Sequence, residues 1–367
     1  MNRDQFLRSL LLLLFTPFIS PGNCKIFSRS ENKSNLRITG QNPEDNTKRS
    51  VAGFQAGYRK LQASGELKKR GQQLWAKMEK CCLCPRECGA NRLAGEKGFC
   101  QASAELVISS FHPHHGEERP LSGSNGSGTI FFSNCSLRCV FCINWQISQG
   151  AEGLPSGRAE GEKTGLTELC DMMLKLQQMG CHNINIVTPS HYSAHLLLAL
   201  DMAAEKGLNL PLVYNTCGWE RQEILSVLDG VVDIYLPDFK YASAAMAGKY
   251  SSGADSYPEI TKKALREMQR QVGTAHPAAD GLMYRGLMIR HLVMPNNVSG
   301  TPEVLKWIVR NLPVDTYVNI MSQYRPYYKA KDYPEIARPL TREEYEQAVY
   351  TAVDLGLTNL DIQGMPF

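Results

Sequence analysis

The sequence lacks a long apolar run, an internal repeat and, beyond residue 50, any excess of charge. Its most membrane-like stretch, Leu10 to Ile19, is too short for a comfortable helical span, so no transmembrane domain is expected. The formal charge of +4 sits entirely in residues 1–50, and the remaining chain carries 32 basic and 32 acidic residues. A neutral body gives no electrostatic support for sequence-independent nucleic-acid binding. A paired Arg-Arg is missing from the N-terminus, where only isolated Arg3 and Arg8 precede the apolar stretch. That leaves no twin-arginine signal for exporting folded protein.

What the chain does have is cysteine. Of 12 in total, five fall between Cys81 and Cys100 and three between Cys135 and Cys142. Clustering of this kind in a chain of 367 residues reads as metal binding in a reducing compartment rather than as a disulfide framework. The N-terminus argues the other way. The run Leu10 to Ile19, followed by Pro21-Gly-Asn-Cys24, is similar to a signal peptide. Residues 1–50 therefore read as an export or anchor signal, a nonfunctional extension or a start placed too early. Within them, residues 25–50 are rich in Asn, Ser, Lys and Arg without apolar periodicity, the composition of a disordered linker.

Residues 51–110 read as a helix plus a cysteine-rich metal-binding segment. Leu61, Leu67, Leu74, Trp75 and Met78 recur at roughly helical spacing across Gly57 to Lys80, and a short strand is expected at Glu105 to Ser109. From 111 to 367 the chain alternates. Strand-like runs at Thr129–Ser133, Asn183–Val187, Leu210–Tyr214, Val232–Leu236, Gly286–Met294 and Thr316–Ile320 are separated by helical patterns at Leu166–Met179, His191–Lys206, Glu220–Leu228, Tyr257–Val272 and Pro302–Asn311. A last helix, Thr341–Leu355, leads to a short strand at Asn359–Ile362. Strands separated by helices of this length pair in parallel through right-handed crossovers. The expected fold is α/β, a partial (β/α)6 barrel with a Cys-rich N-terminal segment.

The first strand ends at Ser133, and Cys135, Cys139 and Cys142 follow at once. They belong on a loop at the C-terminal mouth of the sheet, where parallel α/β folds place their chemistry. Three thiolates at C-x3-C-x2-C spacing can hold one corner of a 4Fe–4S cubane and leave one iron open to a cofactor. A zinc site would need a fourth ligand nearby, and no Cys or His follows until Cys170. A second set, Cys81, Cys84, Cys88 and Cys100, suits structural zinc or a fully ligated Fe–S cluster; spacing does not say which.

Cys135 to Cys142, with Phe141 as the aromatic before the last cysteine, resembles the signature of radical S-adenosylmethionine enzymes. His115-Gly-Glu-Glu, Pro120-Leu-Ser-Gly, Gly126-Ser-Gly-Thr-Ile-Phe-Phe and Cys84-Pro-Arg-Glu-Cys88 resemble proteins related to the pyruvate formate-lyase activating enzyme. The resemblance runs from about Tyr58 to the C-terminus, and departs at Asn134 and Ile143, where Gly and Gln would be expected. It implies a TIM-like radical S-adenosylmethionine barrel. There, an open 4Fe–4S cluster reductively cleaves S-adenosylmethionine to a 5′-deoxyadenosyl radical, which takes a hydrogen atom from a substrate. It also implies a low-potential electron donor such as flavodoxin or ferredoxin, and leaves a glycyl-radical-type protein as one substrate option.

Candidate cofactor contacts at the strand ends are Phe141, Thr188, Ser190, Asn215, Asp238, Lys240 and His291. Asp238 and Lys240 share a face of an extended segment, so a carboxylate and an ammonium are presented together. Arg290, Gln323 and Tyr324 are further rim candidates. His191 divides evenly between a surface helix start and a functional role. Two other classes remain open: an Fe–S electron-transfer or scaffold protein without cofactor cleavage, and a zinc-stapled binding module. An oxygen-labile cluster built on folded protein, and its need for reductant, place the expected activity in the cytoplasm.

Overall fold

The computed structural model describes residues 53–149 and 159–363. The signal-like and linker readings of residues 1–50 lie outside the described residues.

The described residues open with two helices, α1 (Gly57–Ala63) and α2 (Glu66–Ala76). The single helix expected over 57–80 is broken at Gly65, whose φ of 74° caps α2 in the left-handed region that glycine adopts without a Cβ clash. Then come β1 (Leu106–His114), a short α3 (Arg119–Ser122), β2 (Ser127–Phe132), a short α4 (Trp145–Ser148) and β3 (Glu162–Thr164). The alternating part follows: α5 (Leu166–Gln178), β4 (Ile184–Val187), α6 (Ser193–Glu205), β5 (Leu212–Thr216), α7 (Gln222–Leu228) and β6 (Ile234–Pro237). After it run α8 (Ala244–Tyr250), α9 (Tyr257–Val272), β7 (Gly286–Leu292), α10 (Thr301–Asn311), β8 (Tyr317–Met321), α11 (Arg342–Asp354) and β9 (Leu360–Ile362).

The strands form one sheet in the order β3-β1-β2-β4-β5-β6-β7-β8-β9. From β2 onward every pairing is parallel, as the strand–helix alternation requires. The expected partial barrel is thus present, extended at one side by β1 and β3, which pair antiparallel. The strand expected at 105–109 is nearly twice as long, because β1 runs back along β2 to His114. Strand β3, three half-exposed or exposed residues, has no apolar alternation by which to read it.

Two apolar clusters hold the layers together. The larger lies between the sheet and its helices and includes Tyr58, Leu67, Leu74, Leu83 and Cys100, so the Cys-rich segment shares it with the barrel. Helix α6 is apolar all round because it is covered on both sides. Helix α2 packs on it so closely that a Cβ on Gly71 would lie 2.8 Å from a Leu198 methyl carbon. The smaller cluster fills the concave face: Val213, Ile234, Leu236, Met288 and Tyr317 from successive strands, closed by Leu121, Ala275 and Met283. Polar residues begin directly beyond it toward the strands' C-terminal ends. Among the described residues, no helix is long and apolar enough to cross a membrane.

Candidate functional site

Two left-handed residues shape the cysteine loop. Asn134 has φ 73° and Arg138 φ 53°. Asn134 stands where the resemblance leads one to expect glycine, and asparagine is among the few other residues that tolerate this conformation. Its backbone N–H donates to Ile147 O at 2.7 Å, and Gln149 Nε2 donates to Cys139 O at 2.8 Å, tying the loop to α4.

Each thiol has a polar neighbour. Leu137 N–H points at Cys135 Sγ (3.4 Å), Ser251 Oγ donates to Cys139 Sγ (3.1 Å), and Ser148 Oγ lies 3.3 Å from Cys142 Sγ. Burial pushes the Cys139 thiol up to about 12, and the Lys240 ammonium opposes it. Burial also raises Cys142. Thiols so placed ionise only when a cation takes over the charge. A donor set of three thiols with N–H and O–H groups turned toward sulfur fits an iron–sulfur cluster. Among the described residues, no group of three or more His, Cys, Asp or Glu is gathered so as to hold a metal ion.

The sequence-predicted residues fall into two sets. Lys240 Nζ donates to Asp238 Oδ2 at 2.6 Å, confirming that the two share a face at the end of β6. Burial alone would lower the Lys240 ammonium, but Asp238 and then Cys139 outweigh it and hold it above its ordinary value. Asn215, on β5, receives a bond from Arg290 Nη1 at 3.4 Å across the concave face. Thr188, at the end of β4, has φ 58°, an uncommon conformation for a β-branched residue and a mark of local constraint.

The second set is turned elsewhere. His291 is a correction: strand alternation sends Arg290 to the concave face and His291 to the helix layer. There its Nδ1 meets Phe239 O (2.7 Å) and its Nε2 meets Thr301 Oγ1 (2.9 Å), leaving neither nitrogen for a cofactor. Phe141 is buried edge-on against Tyr241 and Tyr324, at 6.3 and 5.9 Å between centroids, and braces the loop. Tyr324 is buried and donates to Ile336 O at 2.7 Å, whereas Gln323 is exposed. His191 is no surface residue: it is buried, with Nε2 2.8 Å from Ser133 O, and desolvation lowers its ring to about 3.

Ser190 donates to Glu220, a residue the sequence reading passed over. Thr216 donates to the same carboxylate oxygen, while Oε2 is buried without a protein partner. Burial raises the Glu220 carboxyl to about 7 against these bonds. Glu117 and Glu118 were noted only as part of a resembling stretch, yet both clamp Arg290, Glu118 at 2.6 Å.

The N-terminal thiols adjoin the cysteine loop. Cys81, Cys84 and Cys100 are buried and Cys88 is exposed. Gly98 lies so close to Cys88 that a Cβ there would be 2.3 Å from Sγ, which explains a glycine at this turn. Arg86, from the Cys84-Pro-Arg-Glu-Cys88 stretch, donates to Ser136 O (3.0 Å) and Ser251 O (3.1 Å) and stacks on Phe99 at 3.8 Å.

No family model matches the chain. It is 34% identical over 275 residues to Uncharacterized protein MJ0674 of Methanocaldococcus jannaschii, covering 74% of each chain. The chain belongs to that protein's family. A second relative from the same organism, Uncharacterized protein MJ0808, is 22% identical over 303 residues, covering 78% of this chain and 81% of that one. Among solved structures, the chain is similar to SuiB of Streptococcus suis (TM-score 0.42, 12% identity), covering 64% of this chain and 47%, about half, of SuiB. It is also similar to methylornithine synthase PylB (0.40, 13%; 64% of this chain, 71% of that one). A radical SAM methyltransferase of Sphaerobacter thermophilus is a third (0.41, 12%; 83% and 91%).

Within this family member, Lys240 pairs with Asp238 and its charge reaches Cys139, while Thr188 N–H donates to Asn215 O at 2.9 Å. His291 is turned away to the helix layer, Phe141 packs beneath the loop, and Ser190 is taken up by Glu220. The missed polar residues, Asn185, Asn319 and Asp361, lie inside strands. A polar residue inside an otherwise apolar strand was the signal that would have found all three.

Proposed function

We propose that this chain is a radical S-adenosylmethionine enzyme, with Cys135, Cys139 and Cys142 holding a 4Fe–4S cluster. The observation that carries this reading is the cysteine loop itself. It stands at the C-terminal end of β2, its sulfurs faced by N–H and O–H groups, with the charge of Lys240 felt at Cys139. When bound, the cluster would supply the electron that cleaves S-adenosylmethionine to methionine and a 5′-deoxyadenosyl radical, which takes a hydrogen atom from the substrate.

The chain's own residues do the rest. Lys240 presents an ammonium to the cofactor carboxylate, oriented by Asp238. Asn215 and Thr188 supply polar contacts at the neighbouring strand ends. Phe141 and its two tyrosine neighbours keep water from the inner side of the loop. A low-potential donor such as flavodoxin or ferredoxin supplies the electron. The resemblance to activating enzymes makes a glycyl-radical-type protein the first protein substrate to test. Cys81, Cys84, Cys88 and Cys100 are the second metal set of this reading, zinc or iron–sulfur; Cys81 and Cys88 act on the Cys100 thiol, and Cys100 and Cys81 on the Cys84 thiol. The site of action is the cytoplasm, where reductant and cofactor are available.

The test is anaerobic reconstitution with iron and sulfide, then dithionite and S-adenosylmethionine. Release of 5′-deoxyadenosine is expected. A stable cluster that releases none would favour an electron carrier instead.

A further inference from the structure

The concave face carries a row of polar residues of which the site proposed above uses only Asp238. Asp238, Arg290, Asn319 and Asp361 are successive cross-strand neighbours running from the end of β6 to β9. Residues opposite one another in parallel strands share a face, so the four form one rung above the apolar Val213–Met288–Tyr317 layer. Glu117 and Glu118 arrive from the segment before α3, and both bond Arg290. Glu118 also accepts from Asn319 Nδ2 at 2.8 Å. Burial pushes the Glu118 carboxyl upward, but Arg290 outweighs it and holds it below its ordinary value.

Charge and hydrogen bonding are both left incomplete. Asp238 is matched by Lys240, but Arg290 alone faces two glutamates whose side chains are buried; the half-buried Asp361, its carboxyl raised by burial, is bonded by Tyr317 at 2.8 Å. The oxygen of the Asn319 amide is buried without a partner. So are both polar atoms of Asn185, which is fully buried on the same face of β4, in register with Val213. Buried polar groups in native proteins are paired, and a surplus of buried carboxylate calls for a cation. Surplus carboxylates and free amide oxygens together call for a ligand that donates several hydrogen bonds and carries positive charge. An ammonium group does both, with three donors and no acceptor.

We propose that this rung, with Glu117, Glu118 and Asn185, binds the ammonium end of an aliphatic primary amine, and that this amine is the hydrogen donor of the reaction proposed above. The substrate claim rests on that reading; the binding site does not.

The test is equilibrium dialysis of the reconstituted full chain with radiolabelled putrescine. Succinate serves as the anionic control, and the tripeptide Gly-Lys-Gly tests whether the ammonium comes from a peptide side chain. Putrescine or the tripeptide should bind, and Glu117→Gln and Asn185→Val should each weaken that binding at least tenfold. Asn185→Val should leave the melting temperature unchanged or raised, because the amide it removes has no partner. A merely structural Asn185 would lower the melting temperature and leave binding alone. Preference for succinate, equal binding by both variants, no amine binding, or displacement of the amine by equimolar potassium would each overturn the site. Amine binding by protein that never yields 5′-deoxyadenosine would support the site and sink the enzymatic reading. Yield of 5′-deoxyadenosine without amine binding would overturn the site alone.

Discussion

Arg86 of the N-terminal cysteine segment donates to Ser136 O, one residue beyond Cys135, at 3.0 Å. A second bond to Ser251 O places the same guanidinium beside the serine whose hydroxyl donates to Cys139 Sγ. The two cysteine arrays are therefore mechanically joined through one side chain.

Arg86→Ala removes the charged hydrogen bonds to Ser136 O and Ser251 O, a longer one to Gly253 O at 3.5 Å, and the stacking on Phe99. A loss of about 2–3 kcal/mol is expected from unfolding in urea. The conservative Arg86→Lys should recover only part of it, because an ammonium cannot span both carbonyls with a planar fork.

Replacing Cys135, Cys139 or Cys142 with Ala should abolish the visible absorbance of the reconstituted cluster and 5′-deoxyadenosine release. In the proposed reading each removes one of only three protein ligands. A cleaving cluster retained in any of the three would defeat the assignment.

Cys84→Ala should leave the cluster at Cys135–Cys142 buildable while lowering the metal content of the N-terminal segment and its resistance to proteolysis. Zinc and iron counted per chain decide it. An unchanged metal content would show that the four thiols are no metal site.

Lys240→Met leaves Asp238 without its partner in a pair only about a fifth exposed. About 1–3 kcal/mol of stability should be lost, and S-adenosylmethionine binding, measured by dialysis without reductant, should weaken at least tenfold. Unchanged cofactor affinity would reduce the pair to a structural one.

The Glu220 carboxyl predicts a pH dependence. Burial raises it from 4.5 to about 7 in the folded chain, so the native state holds a proton that the unfolded chain releases above 4.5. The stabilisation is fully present below pH 4.5 and is lost as pH rises through 7, a change of roughly 3 kcal/mol. Glu220→Gln does not titrate there. The stability of wild type minus variant should thus fall between pH 5 and pH 8 in urea unfolding. A difference independent of pH would refute the shift.

The parallel barrel was legible in residue order, because apolar runs separated by helix-length patterns admit few other arrangements. Helix α9 came out at its expected bounds, Tyr257–Val272, because a strong apolar stripe faces one side. The cysteine loop was legible for a local reason as well: its three thiols lie within eight residues of sequence. Asp238 and Lys240 were likewise paired by alternation alone. Only the tertiary structure decided what depended on residues far apart in the chain. His291 looked like a site residue until strand direction turned it to Thr301, and Glu220 acquired its role only when folding brought it to Ser190 and removed water. The rung of Asp238, Arg290, Asn319 and Asp361 exists only through cross-strand register. No local pattern encodes register, since it is set by how four strands and their intervening helices pack on one another.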